Sequence, residues 1–226
     1  MPILNMVYYA AEWGWGWQPW ENTVLYVPLK NDAKWYTGAS MTEVQITTDT
    51  LSWYRTFSNG VCRFNYNQST HNGARTIYNI APTWLTSWTM SIRFNLDQYR
   101  WNSHFITTNL WGLALIASDQ NLRLELYWSS VRSIRTGTVS LNTWYNLVWV
   151  RDWSNYYIYL NWVLVNSGSW MAGSGSWYNT VIPWRDNTSV DWSLRWYMSE
   201  VIYENKARTL QEVADYYNLT KSKYWL

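Results

Sequence analysis

Four aromatic residues recur in two strand-like segments of this sequence, and their spacing could place them on one surface: Tyr145, Trp149, Tyr157 and Tyr159. Successive side chains of a strand point to opposite faces of a sheet. We expect four aliphatic residues of the same segments to point inward and the aromatic ones to point outward together: Val148, Val150, Ile158 and Leu160. Such a ladder can stack on sugar rings or contact a protein partner. The alternatives are cross-strand pairs that only stabilise the sheet, or coverage by a C-terminal helix.

Catalytic residues are not indicated. Glycoside hydrolysis needs two carboxyl groups ~5–9.5 Å apart, but Glu125 stands alone among Leu, Arg and Tyr residues. His71 and His104 have no metal-ligand spacing with Cys62 and are expected to be polar loop or edge residues. No nucleophile-elbow motif occurs, and a Ser/His/Asp set cannot be assembled from the sequence. We therefore expect a protein that is not an enzyme.

Calcium is the one cofactor for which the sequence offers candidate ligands. Carboxylates and amides occur in predicted loops: Asp119, Asn121, Asp186 and Asp191. Calcium binds oxygen ligands of this kind. Asp and Asn are also ordinary turn residues, and that interpretation is favoured here. No metal position is predicted firmly, and no other cofactor is expected.

Composition excludes several classes of function. A net charge of +2 with 14% charged residues gives no electrostatic basis for binding nucleic acid. No apolar run reaches the roughly 18 residues of a transmembrane helix, so membrane insertion is not expected. Residues 1–21 lack a basic region before their short apolar stretch, so a signal peptide is not indicated. Cys62 is the sole cysteine, which excludes an internal disulfide framework.

The elements that must position these residues are predicted to be mainly strands. Alternating or β-branched runs occur at 22–29, 86–96, 104–109, 111–118, 121–128, 131–140, 143–152, 155–161, 163–169 and 193–207. Thr209 and Glu212 fit a capping box, and helical spacing of the apolar residues that follow predicts a short helix over 210–217. The pattern predicts an all-β fold, an antiparallel β-sandwich with one short C-terminal helix. We expect a single domain over 22–226 after an N-terminal extension or Gly-rich linker at 1–21.

Tryptophan stands where tight turns call for glycine. Asp152-Trp153 and Asn161-Trp162 separate strand-like runs at points where Asp-Gly or Asn-Gly is expected, because such hairpins need positive φ. The chain has 21 Trp and only 10 Gly in 226 residues, a glycine share below the average of ~7%. A bulky residue in the left-handed region costs ~1–2 kcal/mol. Several such residues would consume much of a domain's stability of ~5–15 kcal/mol.

This distribution suggests that UGA codons read as glycine in the source, through an alternative genetic code, are written here as tryptophan. Fifteen positions are the candidates for glycine: Trp13, Trp15, Trp17, Trp35, Trp53, Trp101, Trp128, Trp153, Trp162, Trp170, Trp177, Trp184, Trp192, Trp196 and Trp225. Four are undecided: Trp20, Trp84, Trp111 and Trp149. Trp88 and Trp144 open strand-like runs and are expected to be genuine. The alternative is a truly tryptophan-rich protein, such as a carbohydrate binder.

An ordered set of motifs in the second half carries a family resemblance. Trp144 opens a strand, Arg151-Asp152-Trp153 forms a turn, and Leu160-Asn161-Trp162 forms a hairpin before a closing strand and the 209–217 helix. This order resembles the laminin-G-like domains of the concanavalin A-like jelly-roll family, which carry glycine at the positions of Trp153, Trp162 and Trp196. The resemblance implies that these three residues are structural turn positions. The resemblance is good over 140–220 and vague over 35–85.

The resemblance implies a jelly-roll sandwich, a fold that hosts lectins, adhesion modules, virion proteins and hydrolases. The Glu-x-Asp-x-x-Glu string of its hydrolase members is absent here. We therefore expect a non-catalytic recognition or adhesion module that binds a glycan or a surface protein. It would be extracellular, on a cell surface or a virion, and could form part of a larger assembly. The alternatives are a phage or virion structural or decoration protein and, less favoured, a divergent glycoside hydrolase.

Overall fold

The computed structural model describes 21 strands, one helix and the connecting residues 86, 97–99, 120, 139–143, 153–154, 161–162, 169, 205–209 and 221. The strands are β1 (Thr23–Val27), β2 (Tyr36–Thr37), β3 (Thr42–Glu43), β4 (Ile46–Thr50), β5 (Arg55–Ser58), β6 (Val61–Phe64), β7 (Tyr66–Asn67), β8 (Asn72–Gly73), β9 (Arg75–Tyr78), β10 (Thr83–Leu85), β11 (Ser87–Leu96), β12 (Ser103–Thr108), β13 (Trp111–Ile116), β14 (Asn121–Tyr127), β15 (Val131–Thr138), β16 (Trp144–Asp152), β17 (Asn155–Leu160), β18 (Val163–Gly168), β19 (Gly175–Trp177), β20 (Thr180–Ile182) and β21 (Trp196–Glu204). The helix, α1, spans Leu210–Thr220.

Two antiparallel sheets make up the β-sandwich. The first has the order β18-β17-β16-β11-β21-β1-β2-β3, and β6 joins it by pairing with β21 and β5. The second has the order β15-β14-β13-β12-β20-β9-β4. Asn166 of β18 donates a hydrogen bond of 2.8 Å to the carbonyl oxygen of Arg135 in β15, which links the two sheets at one edge. The predicted all-β sandwich with a short C-terminal helix is confirmed.

Hydrophobic alternation placed β14–β18 and β21 within three residues of their observed ends, whereas the three-residue strands β19 and β20 were not among the predicted runs. The predicted runs 143–152, 155–161 and 163–169 correspond to β16, β17 and β18, joined by two-residue turns. Between residues 35 and 85, where no strands were predicted, the structure has nine short ones, β2–β10. Most of them have two to four residues, too few for a periodic pattern to show. The predicted extension at 1–21 lies outside the described residues.

The central strand β11 separates an apolar face from a polar one. Its apolar side chains are all buried: Trp88, Met90, Ile92, Phe94 and Leu96. The flanking strands β16 and β21 extend this face with Leu147, Trp149, Val201 and Tyr203, which are also buried. The other face presents Thr89, Ser91 and Arg93, each at most 1% exposed. Since a solvent-facing polar row would be accessible, something must cover it.

Helix α1 covers the polar face, and its start is set by a capping box. The Thr209 hydroxyl accepts a hydrogen bond of 3.2 Å from the backbone N–H of Glu212, and the Glu212 carboxylate accepts one of 2.8 Å from that of Thr209. Burial raises the pKa of Glu212, but hydrogen bonds from Lys206 and Thr209 and the Lys206 charge lower it below its usual range. The helix continues three residues beyond the predicted end. Among the described residues, no helix is long and apolar enough to cross a bilayer.

Both suspect hairpin turns adopt the backbone conformation that favours glycine. Trp153 has φ 55°, while Asn161 and Trp162 have φ 48° and 64°. Two positive φ values in succession are the requirement of a type I′ turn, for which Asn-Gly is the preferred pair. The prediction was wrong for Trp196, which lies in β21 opposite Phe64 and Leu96 instead of in a turn.

Replacing Trp153 by glycine should stabilise the protein. Trp153 is 68% exposed, so Trp153→Gly loses little packing while it relieves about 1 kcal/mol of left-handed backbone strain. The free energy of unfolding in urea should rise by about that amount. Trp144→Gly serves as the control, because residue 144 lies in β16 with no positive φ and should be destabilised by glycine. A loss of stability in Trp153→Gly would contradict the strain argument.

Candidate functional site

The four predicted ligand-binding aromatic residues do not form one exposed ladder. Because the turn between β16 and β17 has two residues, each even-numbered residue of one strand lies opposite an odd-numbered residue of the other. Val148 lies opposite Tyr159, and Trp149 lies opposite Ile158. The sequence prediction assigned even-numbered residues of both strands to the same face. A one-residue error in register moves every side chain of a strand to the other face.

Tyr145 and Trp149 lie on the apolar face of the first sheet. Trp149 is buried and meets Trp88 edge to face, with 5.3 Å between ring centroids. Tyr145 stacks on Phe94 at 5.7 Å, and its hydroxyl accepts a hydrogen bond of 2.9 Å from the backbone N–H of Ser140. Both side chains therefore have structural partners. The close packing of Trp149 also favours a genuine tryptophan at this undecided position.

Tyr157 and Tyr159 lie on the opposite face, next to the helix. Tyr159 belongs to a buried cluster with Val148, Val150 and Val213 of α1, and Tyr157 packs against that cluster. Burial raises the pKa of Tyr159, and Tyr157 raises it further. Coverage by the C-terminal helix, the alternative considered from the sequence, is what the structure shows for this pair.

Two buried ion pairs occupy the polar face beneath α1. The Arg93 guanidinium Nε lies 2.8 Å from Glu200 Oε1, and Arg208 Nε donates a hydrogen bond of 2.5 Å to Glu204 Oε2. All four side chains are at most 2% exposed. Removing two charges from water costs several kcal/mol per ion unless pairing and further hydrogen bonds offset it. The helix supplies those further contacts.

Tyr216 of α1 inserts between the two arginines. Its ring centroid lies 5.1 Å from the Arg93 guanidinium and 4.8 Å from that of Arg208, and its hydroxyl donates to Glu200. Burial raises the pKa of the Tyr216 hydroxyl well above its usual range; Arg93 opposes this and Glu200 adds to it. The phenol is therefore protonated at any physiological pH and remains a donor to the carboxylate.

Further hydrogen bonds fasten the chain before α1 and the last residue of α1 to the same strand, β11. Arg93 donates to the carbonyl oxygen of Thr220 at 3.0 Å and also to its hydroxyl. The Thr89 hydroxyl donates to the carbonyl oxygen of Lys206 at 2.7 Å and accepts from the backbone N–H of Arg208 at 2.9 Å. The helix thus runs along β11 from Thr89 towards Arg93.

This arrangement of ion pairs stabilises the fold and does not resemble a catalytic site. Glu200 and Glu204 are each paired with an arginine and are closed off from solvent, so neither can act as a general acid or base towards a substrate. Alternation in the sequence separates the polar residues of β11 from the apolar ones, but it does not indicate that a helix covers the polar face, so this network was not predicted. A signal was available: the apolar stripe of the predicted helix required a sheet face to cover.

The candidate calcium ligands are not brought together among the described residues. Asp119, Asp186 and Asp191 lie outside those residues, and Asn121 begins β14. Within the described part of the chain, no group of three or more His, Cys, Asp or Glu side chains could hold a metal ion. Calcium binding stays a prediction.

Comparison with known proteins gives similarity of structure without similarity of sequence. No protein-family model matches the chain, and no curated protein matches it. The receptor-binding domain of botulinum neurotoxin type G has a similar fold, with a TM-score of 0.68 and 13% identity over 88% of this chain. The binding domain of botulinum neurotoxin DC, solved in complex with rat synaptotagmin II, gives a TM-score of 0.65 and 12% identity over 87%.

A third similar structure comes from work on botulinum neurotoxin type C, whose cell entry depends on interaction with two ganglioside molecules; it has a TM-score of 0.65 and 13% identity over 87% of this chain. The chain spans about half the length of these domains, 51% in each of the three. At this identity the likeness shows the fold alone.

Breaking the Arg93–Glu200 pair should be among the costliest single changes to the fold. Glu200→Gln leaves Arg93 buried without its counter-charge, and we expect it to lower the free energy of unfolding by ~3–5 kcal/mol. Asp97→Asn is the matched control, because the Arg63–Asp97 pair is partly exposed, at 41% and 21%, and should cost under ~1 kcal/mol. Equal losses in the two variants, measured by urea unfolding, would refute the structural role of the buried pair.

Proposed function

We propose that the protein is a non-catalytic recognition module that binds a glycan or a protein on a cell surface. The observation that carries this proposal is the likeness to toxin receptor-binding domains, with a TM-score of 0.68 over 88% of the chain. Among the structurally similar toxin domains, one is described with ganglioside molecules and another is in complex with synaptotagmin II. Both a glycan and a protein are therefore reasonable ligand classes for this fold. Because the chain spans only about half of each of those domains, we do not propose ganglioside or synaptotagmin themselves as its ligands.

More specifically, we propose that the protein is a laminin-G-like β-sandwich domain that is located outside the cell. The ordered motifs at 144–162 and the capped C-terminal helix support it. The neutralised carboxylates of the polar face weigh against a glycoside hydrolase. A virion structural or decoration role remains the main alternative, and it predicts association with particles instead of binding to cells.

Binding to cells is the direct test of the proposal. The labelled full-length protein should bind at least one member of a panel of bacterial and animal cells. Loss of binding after mild periodate oxidation, which cleaves sugar diols, would indicate a glycan. Loss only after protease treatment would indicate a protein. Binding to no cell type, together with co-sedimentation with virus particles, would favour the virion alternative and contradict cell-surface recognition.

We further propose that Trp153 and Trp162 are glycine in the protein as its source makes it. Positive φ at both positions supports this proposal, as does the 68% exposure of Trp153. Trp149 and Trp88, which are buried against each other, are proposed to be genuine.

Mass spectrometry of the protein purified from its source should find the peptide that spans 152–162 lighter by two tryptophan-to-glycine differences. The peptide that contains Trp88 should keep its written mass and serves as the internal control. Tryptophan at both turn positions in the natural protein would overturn the proposal.

A further inference from the structure

We draw no further inference here: the strongest candidate, the exposed apolar patch of Trp162, Val163 and Leu164 at the start of the outermost strand β18, carries none because nothing in the described part of the chain shows what covers it.

Discussion

The buried contact between Arg93, Glu200 and Tyr216 is the constraint on which the rest of the structure depends. An isolated helix of 11 residues is marginal in water, so α1 must obtain its stability from the surface it covers. That surface is apolar at Val148, Val150 and Tyr159, but it also carries the buried charges of the two arginine–glutamate pairs. Docking therefore succeeds only if each charge keeps a partner, because an uncompensated buried charge is far more costly than an exposed one. The phenol of Tyr216 meets this condition by serving Arg93, Arg208 and Glu200 at once.

This constraint gives the two faces of the first sheet different tasks. Where α1 lies, polar groups are paired with one another and with the helix, and they hold the fold together. The apolar face remains committed to the sandwich core, as Trp88 and Trp149 illustrate.

Much of this fold could be predicted from local sequence signals. Alternation in 86–96 located β11, and Thr209 with Glu212 located the start of the helix, because both signals depend on neighbours in the chain. Strand register cannot be read from neighbouring residues in this way. The pairing of Val148 with Tyr159 follows from the length of the turn between β16 and β17. This register places the aromatic residues of the two strands on opposite faces, although the sequence had suggested one face. The Arg93–Glu200 pair joins residues far apart in sequence, and no local pattern distinguishes a polar face open to water from one beneath a helix. Trp196 was misjudged because a family motif was followed where the chain continues as a strand.

Amide hydrogen exchange tests most directly whether the buried ion pairs make α1 and the first sheet one cooperative unit. The amides of Tyr216 and Tyr217 should exchange only through global unfolding, with the same dependence on denaturant as those of Ile92 and Val201 in the sheet. Exchange of the helix through a local opening, at a rate insensitive to denaturant while the sheet stays protected, would show that the helix is a loosely attached appendage and that its ion pairs do not hold the fold.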